Sequence, residues 1–440
     1  MKIVLNPEKK DWAELLKRPY SDNTAILELV TEIIATVKEK GDAALHEYSK
    51  KFTGASLVSF QVTVNELNTA ADLVPKSLKA AIQQAKTNIE TFHKAQFSPV
   101  EVIETSPGIS CWRKGIPIEK IGLYIPGGTA PLFSTVLMLA VPAQLAGCKE
   151  IVLCTPANEN GEVHPAILFT AQLCGVQQIF KLGGAQAIAA MAFGSETVPQ
   201  VYKIFGPGNQ YVTAAKQIVQ THGIAIDMPA GPSEVCVLCD ETAVPEFVAA
   251  DLLSQAEHGT DSQVLLVSTN KAIVEKVLTQ LQAQMEKLPR KEIATAAVQN
   301  SKAIVIDDIN VAIELVNEYA AEHLILSCEN AEVVAEEITN AGSVFIGNYS
   351  PETVGDYASG TNHTLPTNGY AKAFSGVSVD SYLKKITYQK LSQEGLRNIS
   401  KTVVAMAEAE GLQAHANAVR VRVTSLSENE STQEAITHGN

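Results

Sequence analysis

Cysteine is scarce, with seven scattered over 440 residues, too few and too irregular for a disulfide framework. No stretch reaches the roughly 20 apolar residues that a membrane-spanning helix needs. The opening MKIVLNPEKKDW has no apolar core for a signal peptide. Nor does any block of lysine and arginine interrupt the balance of 48 acidic against 34 basic residues, a formal charge of −14. That balance argues against nucleic acid and anionic membrane as partners. The one C-x-x-C, Cys236 and Cys239, lies in the strand-like run VCVLC, where positions three apart face opposite sides, so two small buried hydrophobes are expected there. These absences leave a cytoplasmic globular protein. At 46% hydrophobic and 19% charged, its length predicts two or more domains.

Helical periodicity dominates residues 23–52 and 62–97, interrupted by the strand-like SFQVTV. From about residue 110 strands and glycines enter, and a buried helix is expected over 129–145. Strands over 150–154, 178–181 and 201–205 alternate with helices over 165–174 and 185–192 and a helix from 209. The alternation resumes after residue 262, with strands over 263–267, 303–306, 323–327 and 343–346. Such alternation predicts parallel βαβ units in two blocks, roughly 124–232 and 233–377. The remainder carries a strand-like SYLKKITYQKLS and two short helical patterns, and the polar composition of 427–440 predicts a disordered end.

Three glycine turns fall between strand and helix: Tyr124-Ile-Pro-Gly-Gly128, Gly183-Gly-Ala-Gln186 and Gly206-Pro-Gly-Asn209. There a backbone can approach a ligand closely, and a helix N-terminus presents free N–H groups to an anion. None is the G-x-G-x-x-G fingerprint, and each alone reads more readily as an ordinary tight turn. Their shared position favours a phosphate-bearing ligand at that end of a parallel sheet.

The stretch from Ile226 to His258, IDMPAGPSEVCVLCDETAVPEFVAADLLSQAEH, is the chain's organising segment. A helix there ends in Gln255 and His258, three apart and so on one side. His258, His323, His363 and His415 lie in glycine-rich or acidic contexts, and Asp356 lies in a Pro/Gly-bounded loop. Imidazole and carboxylate suit zinc, with His258 and His415 as nitrogen ligands and Gln255 and Asp356 as oxygen ligands. Taken singly, each histidine reads more readily as a surface or satisfied residue than as a ligand, and no H-E-x-x-H or paired C-x-x-C spacing is present. His323, opening the apolar run HLILS, suits proton transfer, with Glu322 as a second base. As chain neighbours on a strand they should face opposite ways and do different jobs.

With these residues in view the sequence resembles the histidinol dehydrogenase family over nearly its whole length. The resemblance rests on Ile226-Asp227, Ala230-Gly-Pro-Ser-Glu234 and Ser254-Gln-Ala-Glu-His258. It implies two Rossmann-like, aldehyde-dehydrogenase-like parallel-sheet α/β domains plus a small terminal tail domain that mediates dimerisation. Residues 22–123 with 233–377 would carry the metal and substrate, 124–232 would bind NAD, and 1–21 with 378–440 would form the tail. The implied activity is a zinc-dependent, NAD-linked four-electron oxidation of L-histidinol through L-histidinaldehyde to L-histidine. Gln255, His258, Asp356 and His415 would hold one Zn2+ per subunit, a metal that orients the substrate. His323 would be the general base and Glu322 would activate water. Ser233, His363 and Glu410 would be further substrate contacts, and Tyr124, Gln186 and Asn209 would contact NAD. The resemblance also implies a homodimer in which Glu410 and His415 complete the partner's site. Two other readings stay open: a cysteine-dependent aldehyde dehydrogenase, for which Cys111 and Cys148 lie beside no obvious base, and a non-catalytic binding protein.

Overall fold

The structure is a computed structural model that describes residues 1–18, 24–127, 130–229 and 231–437, with side chains to 428. Asn23, Gly128 and Thr129 of the first glycine turn and its helix, Ala230 of the organising segment, and 438–440 of the polar tail lie outside the described residues. The chain forms two compact units, Met1–Gln96 with Ile118–Tyr382 and Phe97–Pro117 with Leu383–Asn440.

The first unit holds two parallel sheets. One has five strands in the spatial order Gln178–Phe180, Glu150–Cys154, Lys120–Tyr124, Lys203–Phe205, Ala225–Ile226. The other has six, in the order Lys2–Leu5, Lys302–Val305, Gln263–Ser268, Glu234–Cys239, His323–Ser327, Ser343–Ile346. Helices cover both faces of such a sheet, so its central strands read as continuous apolar runs instead of alternating ones. VCVLC shows the consequence. Val235, Val237 and Cys239 pack on one side with Val248 and Leu252, while Cys236 and Leu238 pack on the other with Leu315 and Val316. The two cysteines therefore lie on opposite faces, as the spacing requires.

The helix Phe133–Ala146 is apolar on every face, and eleven of its residues are buried. The amphipathic helix Thr24–Lys40 buries Val30, Ile33, Ile34 and Val37 in one core with Tyr124, Val152, Ile188 and Val212. This corrects the grouping of 22–123 with 233–377: the first helices cover the five-stranded sheet, because their apolar stripe meets the small-residue helix Gly184–Phe193. Residues 2–5, grouped in sequence with the tail, instead pair in parallel with Lys302–Val305 at the edge of the six-stranded sheet. SFQVTV is not a strand; its ladder reduces to one bridge between Gln61 and Phe180.

The second unit is an antiparallel sheet in the order Leu383–Leu391, Ile109–Pro117, Val102–Ser106, with Trp112 and Tyr388 stacked across the strands. It continues into helices Gln393–Ala409 and Gln413–Thr437, longer than the two short patterns expected. The polar end thus runs as helical backbone to Thr437. No helix among the described residues is long and apolar enough to cross a membrane.

Candidate active site

Glu234 and His323 open two adjacent parallel strands, so the polar groups gather at the N-terminal ends of the six-stranded sheet. His323 is almost fully buried, and its Nδ1 lies 3.2 Å from the Glu234 carbonyl while its Nε2 lies 3.2 Å from Asp356 Oδ1. Glu322 does not point away from it, contrary to the strand-alternation argument. It precedes the first paired residue, and its Oε2 accepts from the Glu234 N–H at 2.9 Å and sits 3.6 Å from His323 Nδ1. Gly342 lets the neighbouring strand pass close to the Glu322 backbone: a Cβ there would stand 2.5 Å from the Glu322 carbonyl oxygen. Burial alone would lower the His323 pKa, but the charge of Glu322 and the bond to Asp356 outweigh it and hold the imidazole well above its usual range. Burial likewise opposes the Asp356 charge, yet the His323 contact keeps that carboxyl below its ordinary value.

Gln255, on the last turn of the helix Pro245–Ala256, closes the other side of the ring, its Nε2 3.2 Å from His323 Nδ1 and 3.1 Å from Glu352 Oε2. Glu352 also accepts from the Ser254 hydroxyl. Burial pushes its carboxyl up to about 7. Glu352 and Asp356 are four apart on one short helix, Glu352–Tyr357, and so share a side. That spacing was readable in PETVGDY, but Glu352 was missed, as was Glu234. His363 Nδ1 donates to the Asp356 carbonyl at 2.9 Å, and its Nε2 lies 3.1 Å from Thr135 Oγ1. Burial lowers its pKa, which favours the neutral ring. Ser233 directly precedes Glu234, and its carbonyl accepts from Gln263 N at 3.1 Å.

The donor chemistry fits a cation. With its amide nitrogen on Glu352, the Gln255 Oε1 atom is buried and has no hydrogen-bond partner. A buried oxygen left bare in this way is what a ligand position looks like before its ion is added. Asp356 supplies a charge in the same cluster, on the far nitrogen of His323, and His258 is exposed two residues beyond the helix end. Among the described residues no three His, Cys, Asp or Glu side chains cluster as metal ligands. The expected set draws on the first unit for only two of those types, His258 and Asp356. Glu410 caps the helix Gln393–Ala409 and His415 lies in the first turn of Gln413–Thr437, both exposed on the second unit.

The three glycine turns do converge. Tyr124, Gln186 and Asn209 line one cavity of about 840 Å³ at the C-terminal ends of the five-stranded sheet. Within it the Tyr124 hydroxyl accepts from Gly184 N at 2.9 Å, and Gln186 Oε1 is buried without a partner. Asn209 caps the helix Gln210–Gln220 by accepting from the N–H groups of Tyr211 and Val212. Gly206 has φ +126, and a Cβ there would fall 2.1 Å from the Tyr124 carbonyl oxygen, so glycine is required for the turn to pass. Asp227 Oδ2 accepts from Gly206 N and the Lys216 ammonium donates to Gly206 O, both at 2.8 Å, and Lys216 and Asp227 form a buried ion pair beneath the turn. Cys148 and Cys154 are buried, and burial raises the pKa of both thiols, which disfavours a thiolate at either.

Fold and site together define an α/β enzyme with one large cavity at the end of its five-stranded sheet and a separate acid–base cluster. The family model described as histidinol dehydrogenase matches residues 16–423. Histidinol dehydrogenase of Bacteroides thetaiotaomicron is 57% identical over 97% of this chain and 100% of its own length. That of Escherichia coli K12 is 50% identical over 94% of this chain and 95% of its own. The crystal structure of histidinol dehydrogenase from Elizabethkingia anophelis superposes with a TM-score of 0.95, at 55% identity, covering 97% of this chain and 99% of that one. The chain belongs to the histidinol dehydrogenase family and is an oxidoreductase of histidine biosynthesis.

Proposed function

We propose that this chain catalyses the zinc-dependent, NAD-linked four-electron oxidation of L-histidinol through L-histidinaldehyde to L-histidine, in the cytoplasm and as a homodimer. The observation that carries the proposal is the convergence of His323, Glu322, Asp356 and Gln255, with its bare Oε1, at one sheet end. When bound, NAD would supply the hydride acceptor for both oxidations and zinc would serve to orient the substrate. Gln255, His258 and Asp356 hold that metal with His415. Tyr124, Gln186 and Asn209 hold the dinucleotide in the cavity of 124–232.

His323 donates Nδ1–H to the Glu234 carbonyl, which leaves Nε2 as the basic nitrogen. Nε2 receives the hydroxyl proton of the alcohol in the first oxidation. Asp356, committed to a metal, would lend less support to the imidazolium, which favours proton uptake by the neutral ring. Glu322 receives a proton from the water that adds to the aldehyde carbon in the second oxidation. Ser233, His363 and Glu410 fix the substrate's position. Exposure of Glu410 and His415, with Met406, Leu412 and Val421 also exposed on the same helix pair, supports a tail, 378–440, that completes the site of a second subunit. Mixed His415→Ala and His323→Ala subunits then regain activity on exchange; no recovery overturns the shared site.

The metal assignment is tested by zinc titration of chelator-stripped protein. One equivalent per subunit is expected, with affinity reduced at least tenfold by Gln255→Ala or Asp356→Ala. Unchanged affinity in both variants removes these residues from the metal site.

A further inference from the structure

Behind the proton-transfer pair lies a buried network that the reaction itself does not use. The Glu234 backbone touches both members of the pair: its N–H donates to Glu322 Oε2 at 2.9 Å and its carbonyl meets His323 Nδ1 at 3.2 Å. The Glu234 side chain points the other way. It is gripped by Arg18 through Nε to Oε1 and through a second nitrogen at 2.8 Å from Oε2, and Asn368 N donates to the same Oε1 at 3.0 Å. Arg18 is itself held, donating to the Tyr319 carbonyl at 2.8 Å and lying 4.2 Å from the centre of the Tyr319 ring. The side chains are 16% and 3% exposed, so solvent does little to screen the pair.

We infer that Arg18 is a positioning residue: through its two-point grip on Glu234 it fixes the backbone that aims Glu322 and His323. The geometry leaves little slack. A planar guanidinium bonded to both carboxylate oxygens fixes the plane of the carboxylate as well as its distance, which a lysine cannot do. Rotation or withdrawal of Glu234 would move one N–H and one C=O together, and with them both proton-transfer groups. Small misplacements of such groups cost rate far more than they cost binding. The inference rests on the reading of Glu322 and His323 as the proton-transfer pair.

Removing one partner alone leaves a buried unpaired charge and endangers folding. The decisive variant therefore removes both charges, as Arg18→Met with Glu234→Gln. Its expected signature is a melting temperature near that of the unmodified enzyme, KM for histidinol and for NAD within about threefold, and kcat reduced about 10- to 100-fold. Arg18→Lys should show the same loss of kcat without the double change. Arg18→Ala should recover several-fold when guanidinium is added at concentrations below those that unfold it. A double variant with unaltered kcat overturns the inference, as does a loss confined to KM. Glu322→Gln and His323→Asn are the control: if they retain full activity, the underlying reading of the pair fails, whatever Arg18 does.

Discussion

Replacing Asp227 by alanine isolates what holds the third glycine turn. In the folded protein Asp227 and Lys216 side chains are 1% and 4% exposed and directly paired. Asp227 also accepts from Gly206 N at 2.8 Å and from Met228 N at 2.7 Å. Asp227→Ala removes the carboxylate and leaves the Lys216 ammonium buried, donating to the Gly206 carbonyl at 2.8 Å. Stranding one charge of a buried pair costs about 3–5 kcal/mol, and the orphaned Gly206 N–H adds about 1–3 kcal/mol if water does not reach it. Lys216→Met in the same chain removes the stranded charge, so the double variant should regain most of the loss. Urea unfolding at fixed pH measures both, and NAD binding followed by fluorescence reports the turn itself, which leads directly to Asn209. The reasoning is refuted if Asp227→Ala costs under about 1 kcal/mol, or if the double variant is no more stable than the single one.

Asp251 is buried and its carboxyl is pushed up to about 7 by burial, from an ordinary 3.8. A carboxyl whose folded value is raised holds its proton more tightly when folded, so its contribution to stability is most favourable in acid and falls as pH rises from about 4 to about 7. Asp251→Asn should therefore exceed the unmodified protein in stability at pH 8 by on the order of 4 kcal/mol at most, with the gap narrowing at pH 5; equal differences at both pH values contradict this. Glu352→Gln should weaken zinc binding about 10- to 100-fold, because a neutral amide no longer dictates which end of Gln255 faces the ion. Competition with a chromophoric chelator measures it, and unchanged affinity removes Glu352 from that role.

Much of the architecture was legible because it depends on short-range pattern. The alternation from residue 150 onward predicted parallel strands, and every pairing in both large sheets is parallel. The three glycine turns were legible as a set, since Gly206 cannot be anything larger beside the Tyr124 carbonyl. What was not legible is what depends on distant partners. The helix Thr24–Lys40 shows its apolar stripe in sequence but not which sheet that stripe meets. Lys2–Leu5 could be placed only by its partner about 300 residues away. Arg18 carries no local signal of its role, which depends on Glu234, 216 residues away, standing opposite it. Glu322 was misjudged because the two-residue period of a strand was applied one residue before the ladder begins.

The central claim, that one site oxidises the alcohol and then the aldehyde, is tested most directly by counting NADH. Purified protein given L-histidinol and excess NAD should form two NADH per histidinol, lose that activity on chelation and regain it with zinc. One NADH per histidinol, with free aldehyde in solution, would contradict the role given to Glu322. No NADH from the zinc-loaded protein would contradict the account as a whole.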